Sequence, residues 1–110
     1  MGPQTFSWLL LAASVAAEVA GTIALRYADG FTRLVPSLVV GASYAAAIWL
    51  MSISVRHLEV GLAYAVWAGS GTALTAALGV AWFGESMTLL RVLGVVMIVI
   101  GVVVLNLDTH

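Results

Sequence analysis

The stretch LLLAASVAAEVAGTIAL, residues 9–25, is built almost entirely from apolar and small residues, and one glutamate, Glu18, lies near its middle. A helix of about 20 such residues crosses the hydrocarbon core of a bilayer. Of the 110 residues in the chain, 63% are hydrophobic and 8% are charged, whereas a soluble domain carries about 25% charged residues. The composition therefore indicates a membrane protein.

Four apolar runs follow one another and leave no room for a soluble domain. We predict an all-α membrane protein whose single four-helix transmembrane domain occupies residues 1–110, with spans at about 6–25, 34–54, 61–83 and 89–107. Short loops predict that consecutive helices pack antiparallel. The first run lacks a basic leader and carries a glutamate, so we expect it to be a structural helix and not a cleaved signal peptide.

The few polar residues exclude several kinds of protein. The formal net charge is −1 and no basic patch is present, so no nucleic-acid partner is expected. The chain has no cysteine, and His57 and His110 are far apart in sequence. We expect neither a metal site nor a cofactor. Glu85 and Arg91, near the start of the last span, are interpreted as headgroup or loop anchors.

Glu18 is the residue that most needs an explanation. It lies twelve residues beyond Phe6, which puts it about 18 Å into the span and close to the midplane. A charged acidic residue there costs about 2.5–3.5 kcal/mol, so it should face protein or a water-filled cavity, where it can exchange a proton for a cation. The alternative is a protonated Glu18 that only links helices by a hydrogen bond worth about 0.6–2 kcal/mol.

The helix face around Glu18 is small and partly hydroxylated. Helical spacing predicts that four residues share this face: Ser14, Val15, Gly21 and Thr22. Such a surface lets either a ligand or another helix approach closely. Ordinary small-residue packing is therefore the alternative to a binding surface.

The third run, GLAYAVWAGSGTALTAAL, combines aromatic residues with glycines. Tyr64 and Trp67 are three residues apart and share a helix face, with Gly69 and Gly71 just beyond them. Aromatic faces attract quaternary ammonium groups by cation–π interaction. The glycines indicate a bend or a close helix contact. The alternative is that Tyr64 anchors the helix at the interface and Trp67 fills a gap.

The last run carries Gly94 and Gly101, which lie seven residues apart on one helix face. Small residues let two helices approach closely in a membrane. Met97, Ile98 and Leu105 extend the same stripe. The pattern predicts a seam for helix pairing, where the protein assembles.

Taken together, the motifs resemble the small multidrug resistance family, whose members are four-helix, proton-coupled exporters of cationic compounds. The resemblance runs over essentially the whole chain. It rests on AEVAGT around Glu18, DGFTRLVPS after the first span, GLAYAVWAGSGTALTA in the third, and the glycine pair with VLNL in the fourth.

The resemblance implies roles for individual residues. Glu18 would bind protons and substrate alternately, while Tyr44, Tyr64 and Trp67 would contact the substrate. Ser14, Gly21 and Thr22 match further first-helix positions that line the family's binding pocket. Gly94 and Gly101 match the fourth-helix glycines at which the family dimerises.

The expected assembly is an antiparallel dimer in which both copies of Glu18 face one chamber. Loops one and three carry Arg26, Arg33 and Arg91, whereas the rest of the chain carries only Arg56, and so slight a bias is compatible with insertion in both orientations. We expect a homodimer in a bacterial inner membrane, surrounded by lipid. A heterodimer with a sister chain is the alternative.

The substrate class follows from the residues after Glu18. Gly21 and Thr22 stand where the guanidinium-exporting branch tends to carry a tryptophan, so the chain resembles the multidrug branch, which exports lipophilic and quaternary ammonium cations. Ala68 and Ala47 replace hydroxyl residues common in the family, which changes the expected hydrogen bonding of Glu18. The alternatives are a guanidinium exporter, a non-transporting assembly subunit and a passive channel.

Overall fold

The computed structural model describes residues 2–107; Met1 and residues 108–110, including His110, lie outside the described part. It consists of four α-helices, each long and apolar enough to cross a membrane. The helices are α1 (Pro3–Ala28), α2 (Leu34–Ser54), α3 (Val60–Phe83) and α4 (Leu89–Leu107). The predicted all-α architecture with four spans is confirmed.

Helix α1 extends three residues beyond the predicted span at each end. Pro3 occupies the first turn, where its missing N–H removes no helical hydrogen bond. At the other end Arg26 places positive charge in the last turn, which favours the helix because the carbonyl end of the helix dipole is negative. A 26-residue helix is about 39 Å long, so both ends of α1 reach the headgroup region.

A left-handed turn connects α1 to α2. Asp29, Gly30 and Phe31 have φ angles of 50°, 68° and 64°. The main-chain N–H of Thr32 donates to the carbonyl of Ala28 at 3.0 Å, which closes the turn. Only glycine adopts this conformation without steric cost, so Gly30 is the residue best suited to it. The reversal lays α2 antiparallel against α1.

Small residues bring α1 and α2 together over most of their length. A Cβ atom added to Gly21 would lie 3.0 Å from Cβ of Ser43, so the two helices are in close contact at this level. Two turns away, the buried Ser14 hydroxyl donates to the carbonyl of Ala47 at 2.6 Å. Close backbone approach with polar side chains is typical of helix pairs in membranes. This pair forms the base on which the site is built.

Helix α3 runs alongside α1 in the same direction. A buried apolar cluster joins the first half of α1 to the start of α3, with Trp8 and Trp67 packed around it. The cluster consists of Leu11, Leu58, Ala63 and Val66. Further along, Glu18 contacts Gly71 and Arg26 contacts Phe83. Later residues of α1 thus contact later residues of α3, as expected for two parallel helices.

Helix α4 packs chiefly against α3. A Cβ atom added to Gly69 of α3 would lie 2.6 Å from Cγ2 of Val102, so α4 rests directly on the α3 backbone there. None of the residues of α4 is buried. Apolar side chains facing outward are normal in a bilayer, because lipid tails are as apolar as leucine.

Candidate functional site

The centre of the site is the carboxylate of Glu18. Glu18 is partly buried, and its side chain points from α1 to α3, where a Cβ atom added to Gly71 would lie 2.7 Å from Oε2. Glycine therefore leaves the space that the carboxylate occupies. Oε2 is itself buried and has no hydrogen-bond partner among residues 2–107.

The other carboxylate oxygen belongs to a short hydrogen-bonded chain. The Thr22 hydroxyl lies 3.4 Å from Oε1 of Glu18, 2.9 Å from the main-chain carbonyl of Glu18, and 2.7 Å from the Tyr44 hydroxyl. A threonine hydroxyl has one proton to donate. Both acceptors of this proton, the main-chain carbonyl and Oε1, belong to Glu18, so the Tyr44 hydroxyl is the donor in its hydrogen bond with Thr22. Helix α2 is thereby linked to the carboxylate on α1.

The aromatic pair of α3 lies one and two helical turns before Gly71, the residue that Glu18 contacts. The ring centroids of Tyr64 and Trp67 are 5.7 Å apart, with the planes tilted by 36°. Trp67 precedes Gly71 by one helical turn and therefore shares its side of α3. Its Nε1 is buried and has no acceptor within the described protomer. The site thus combines an unpaired acceptor on Glu18 with an unpaired donor on Trp67.

The remaining first-helix positions do not all line the same space. Ser14 and Gly21 face α2, where the Ser14 hydroxyl is already used by the carbonyl of Ala47. Val15 lies on the α3 side, where it lines a cavity with Val66. Of the residues predicted around Glu18, the structure brings Thr22 into contact with its side chain. Substrate contacts by the others stay predictions.

The fourth-helix glycines lie away from Glu18. A Cβ atom added to Gly94 or Gly101 would meet nothing within 4 Å in the protomer. The packing of α3 against α4 therefore does not require glycine at either position. Their role in dimer formation stays a prediction.

Two charged contacts of the surface loop were not anticipated in detail. Arg26 of α1 pairs with Glu85 at 3.8 Å and lies over the Phe83 ring, with its Cζ atom 5.1 Å from the centroid. Arg91 donates to the carbonyl of Ser86 at 2.7 Å, so it ties α4 to the loop that precedes it. The contacts of Arg26 join elements distant in sequence, so local spacing could not predict them.

Four helices apolar enough to cross a membrane, with one carboxylate between α1 and α3, define a multi-pass membrane protein. Residues 6–98 match the family described as Small Multidrug Resistance protein, and the chain belongs to that family. The predicted family membership is confirmed. None of the residues on which the site is built lies outside the matched segment.

Relatives cover nearly the whole chain. The Klebsiella aerogenes "Quaternary ammonium compound-resistance protein QacF" is 46% identical over 101 residues, 92% of each chain. A "Guanidinium exporter" of Citrobacter freundii is 41% identical over 104 residues, which are 94% of this chain and 99% of that one. The "Multidrug resistance protein EbrA" of Bacillus atrophaeus is 35% identical over 99 residues, 90% of this chain and 94% of its own.

The contact between Glu18 and Gly71 gives a direct test of the site. We expect Gly71→Ala to weaken binding of tetraphenylphosphonium by about tenfold, equivalent to about 1.4 kcal/mol, because the new methyl group displaces Oε2 from its place over α3. The carboxylate ends a flexible side chain, so the helices themselves need not move. Calorimetric titration of the purified protein measures the affinity.

Gly61→Ala is the matched control for this variant. Gly61 lies in the same helix, and a Cβ atom there would meet nothing within 4 Å. The Gly61→Ala protein should therefore bind tetraphenylphosphonium with the affinity of the parent. If Gly71→Ala also bound like the parent, the position of Oε2 over Gly71 would not matter for binding.

Proposed function

We propose that this chain exports lipophilic and quaternary ammonium cations in exchange for protons, which compete with the cation for Glu18. The supporting observation is the buried Oε2 atom of Glu18, which has no hydrogen-bond partner in the described protomer. An unpaired carboxylate is costly in a bilayer, and either a bound proton or a bound cation removes that cost. The two ligands therefore exclude each other at one group.

The aromatic pair supports a bulky, apolar cation as substrate. The Tyr64 and Trp67 rings offer π faces that attract a quaternary ammonium group, an interaction worth about 2 kcal/mol or more when desolvated. The same rings accept the apolar body of such a ligand. The name of the Klebsiella relative supports the same class.

Guanidinium is the second candidate. Two relatives of this length from other bacteria are named guanidinium exporters, at 39% and 41% identity. A guanidinium ion presents its N–H donors in one plane and pairs with a carboxylate by two parallel hydrogen bonds. The unpaired Oε2 of Glu18 and its Oε1 neighbour could accept that pair.

The proposed working unit is an antiparallel homodimer in the bacterial inner membrane. Each chain contributes one four-helix domain, residues 1–110, in contact with lipid, and a heterodimer with a sister chain is the alternative. The two Glu18 side chains then share one chamber. The seam proposed for this dimer is the Gly94 and Gly101 face of α4, which has space for a neighbouring helix.

Coupling requires that the chamber opens to one side of the membrane at a time. Protons load Glu18 from outside, and a cation that enters from the cytoplasm displaces them. A ligand shifts an equilibrium only through its different affinity for the two states, and competition at Glu18 supplies that difference. No covalent bond of the substrate changes, so the proposal includes no enzymatic step.

Proton release from the purified protein tests this function. On addition of tetraphenylphosphonium to the detergent-solubilised dimer in weak buffer, we expect a pH drop that saturates with cation binding. Release by guanidinium alone would assign the chain to the second candidate. Release by neither cation would contradict cation–proton exchange and favour a non-transporting membrane subunit.

A further inference from the structure

Two cavities that differ in their polar content lie along the contact surface between α1 and α3. One cavity, of about 460 Å³, has walls of apolar side chains, among them Ala16, Ala20, Leu74 and Leu78. The other, of about 280 Å³, begins at Thr22 and ends at the ion pair on the membrane surface. Four of its eight lining residues are polar, namely Thr22, Arg26, Thr75 and Glu85, and the other four are Ile23, Leu25, Gly79 and Phe83. We call this second cavity the polar groove.

A stripe of small residues on α3 leads from the Glu18 carboxylate into the polar groove, which Thr75 and Gly79 line. Gly71, Thr75 and Gly79 are spaced four residues apart and lie on one side of the helix. Glycine at each end accommodates a carboxylate. Oε2 of Glu18 lies over Gly71, and Oε1 of Glu85 lies over Gly79, where a Cβ atom would overlap it. From Gly71 to Gly79 the helix rises about 12 Å.

We propose that the polar groove conducts protons between Glu18 and the membrane surface, with Glu85 as the proton acceptor at its outer end. The inference rests on the proposed function, which requires Glu18 to lose a proton. The proton leaves the Glu18 carboxyl group, passes along hydrogen-bonded water beside the Thr22 and Thr75 hydroxyls, and binds the Glu85 carboxylate. Glu85 then releases it to solvent. Glu18 is left as the carboxylate that binds the cation.

The dimensions of the groove suit this role. A water molecule needs about 10–15 Å³ of cavity volume and two to four polar partners, so the polar groove has room for several. Oε1 of Glu18 lies 3.4 Å from the Thr22 hydroxyl, which is therefore the first partner at the inner end. Thr75 lies one turn of α3 beyond Gly71 and supplies the second hydroxyl.

The two cavities beside the α1–α3 contact surface also differ in whether water or lipid is the more stable occupant. Polar groups at membrane depth are stable only against protein or water, whereas apolar walls are stable against lipid tails. The polar groove therefore suits water and the apolar cavity suits lipid.

The outer end of the groove is held in place by Arg26. Its guanidinium group pairs with Oε2 of Glu85 at 3.8 Å while it stacks on the Phe83 ring. The Glu85 side chain is 49% exposed, so it reaches solvent as well as the groove. The main-chain N–H of Glu85 donates to the Gly79 carbonyl at 3.1 Å, which fixes the loop over the end of α3.

Rapid mixing separates a proton route from a proton site. The protein is mixed with tetraphenylphosphonium in the presence of a pH-sensitive dye, which gives both the amount of proton released and its rate. For Thr75→Val and Glu85→Gln we expect the parent's amount at a rate about tenfold lower, since a positioned proton-transfer group contributes at least that factor. Thr72→Val is the matched control, because the exposed Thr72 hydroxyl donates to the Ala68 carbonyl outside the groove.

Each outcome decides the proposal. If the parent releases protons and both groove variants release them at the parent's rate, the route is overturned and the proposed function is left intact. A reduced amount of released proton in either variant would also overturn it, since that residue would then belong to the equilibrium site. A parent that releases no proton refutes the proposed function, and the route with it. Should Glu85→Gln fail to fold, Gly79→Ala replaces it, because the added methyl group displaces the Glu85 carboxylate.

Discussion

Glu18→Gln abolishes proton release and cation export in the mechanism proposed here. The amide has the size of the carboxyl group and keeps the Thr22 contact, but it neither titrates nor carries charge. Removing one partner of a buried charge pair costs about 2–5 kcal/mol, so tetraphenylphosphonium should bind at least about 30-fold more weakly. Export is measured in proteoliposomes with an imposed pH gradient, and release with a pH-sensitive dye.

Glu18→Asp is the companion variant. It keeps a titratable carboxyl group but withdraws it from Gly71 by one methylene, so proton release should persist with an altered affinity for the cation. Proton-driven export by Glu18→Gln would rule out competition at this residue. A Glu18→Gln protein that fails to fold, while the Asp variant folds without binding cations, would identify Glu18 as a structural contact between helices.

Leucine at both Gly94 and Gly101 should dissociate the proposed dimer and stop the proposed export. The protomer has open space at both positions, so the larger side chains are compatible with its fold. In a tight helix seam, overpacking costs about 1–3 kcal/mol at each site, which raises the dimer dissociation constant by about 30-fold or more for two sites. Sedimentation in density-matched detergent measures the association.

Val103→Phe is the control for this double variant. Val103 follows Gly101 by two residues and therefore projects from nearly the opposite side of α4, where it is exposed. It should dimerise like the parent. If the double leucine variant also dimerised like the parent, the seam would have to lie elsewhere on the protomer.

The fold was largely predictable from the sequence, because each span is a long apolar run bounded by turn residues. The loop at residues 84–88 was predicted at its observed position, and α2 and α4 have the predicted bounds. Helix α1 is longer than predicted, since hydropathy falls at Arg26 although the helix continues to Ala28. A basic residue in the last turn stabilises a helix that hydropathy alone would end.

The site was predictable only in part. Glu18 and the Tyr64–Trp67 pair stand out by residue type and local spacing, and the structure brings the two rings to 5.7 Å. Helical spacing also put Ser14 on the face of Glu18, but the pairing of α1 with α2 turns its hydroxyl toward the Ala47 carbonyl. Which neighbour a helix face meets depends on tertiary packing, and one chain's periodicity does not contain that information.

The weak attachment of α4 has a consequence for biosynthesis. This helix is made after α1 to α3, and since none of its residues is buried in the protomer, those three helices can settle into the membrane before it emerges from the ribosome. If α4 carries the seam, a nascent chain gains its means of pairing only after its first three helices have been made. The choice of partner is then made among chains that already carry all four helices and diffuse in the bilayer, so the relative amount of each orientation, or of a sister chain, sets which assemblies form.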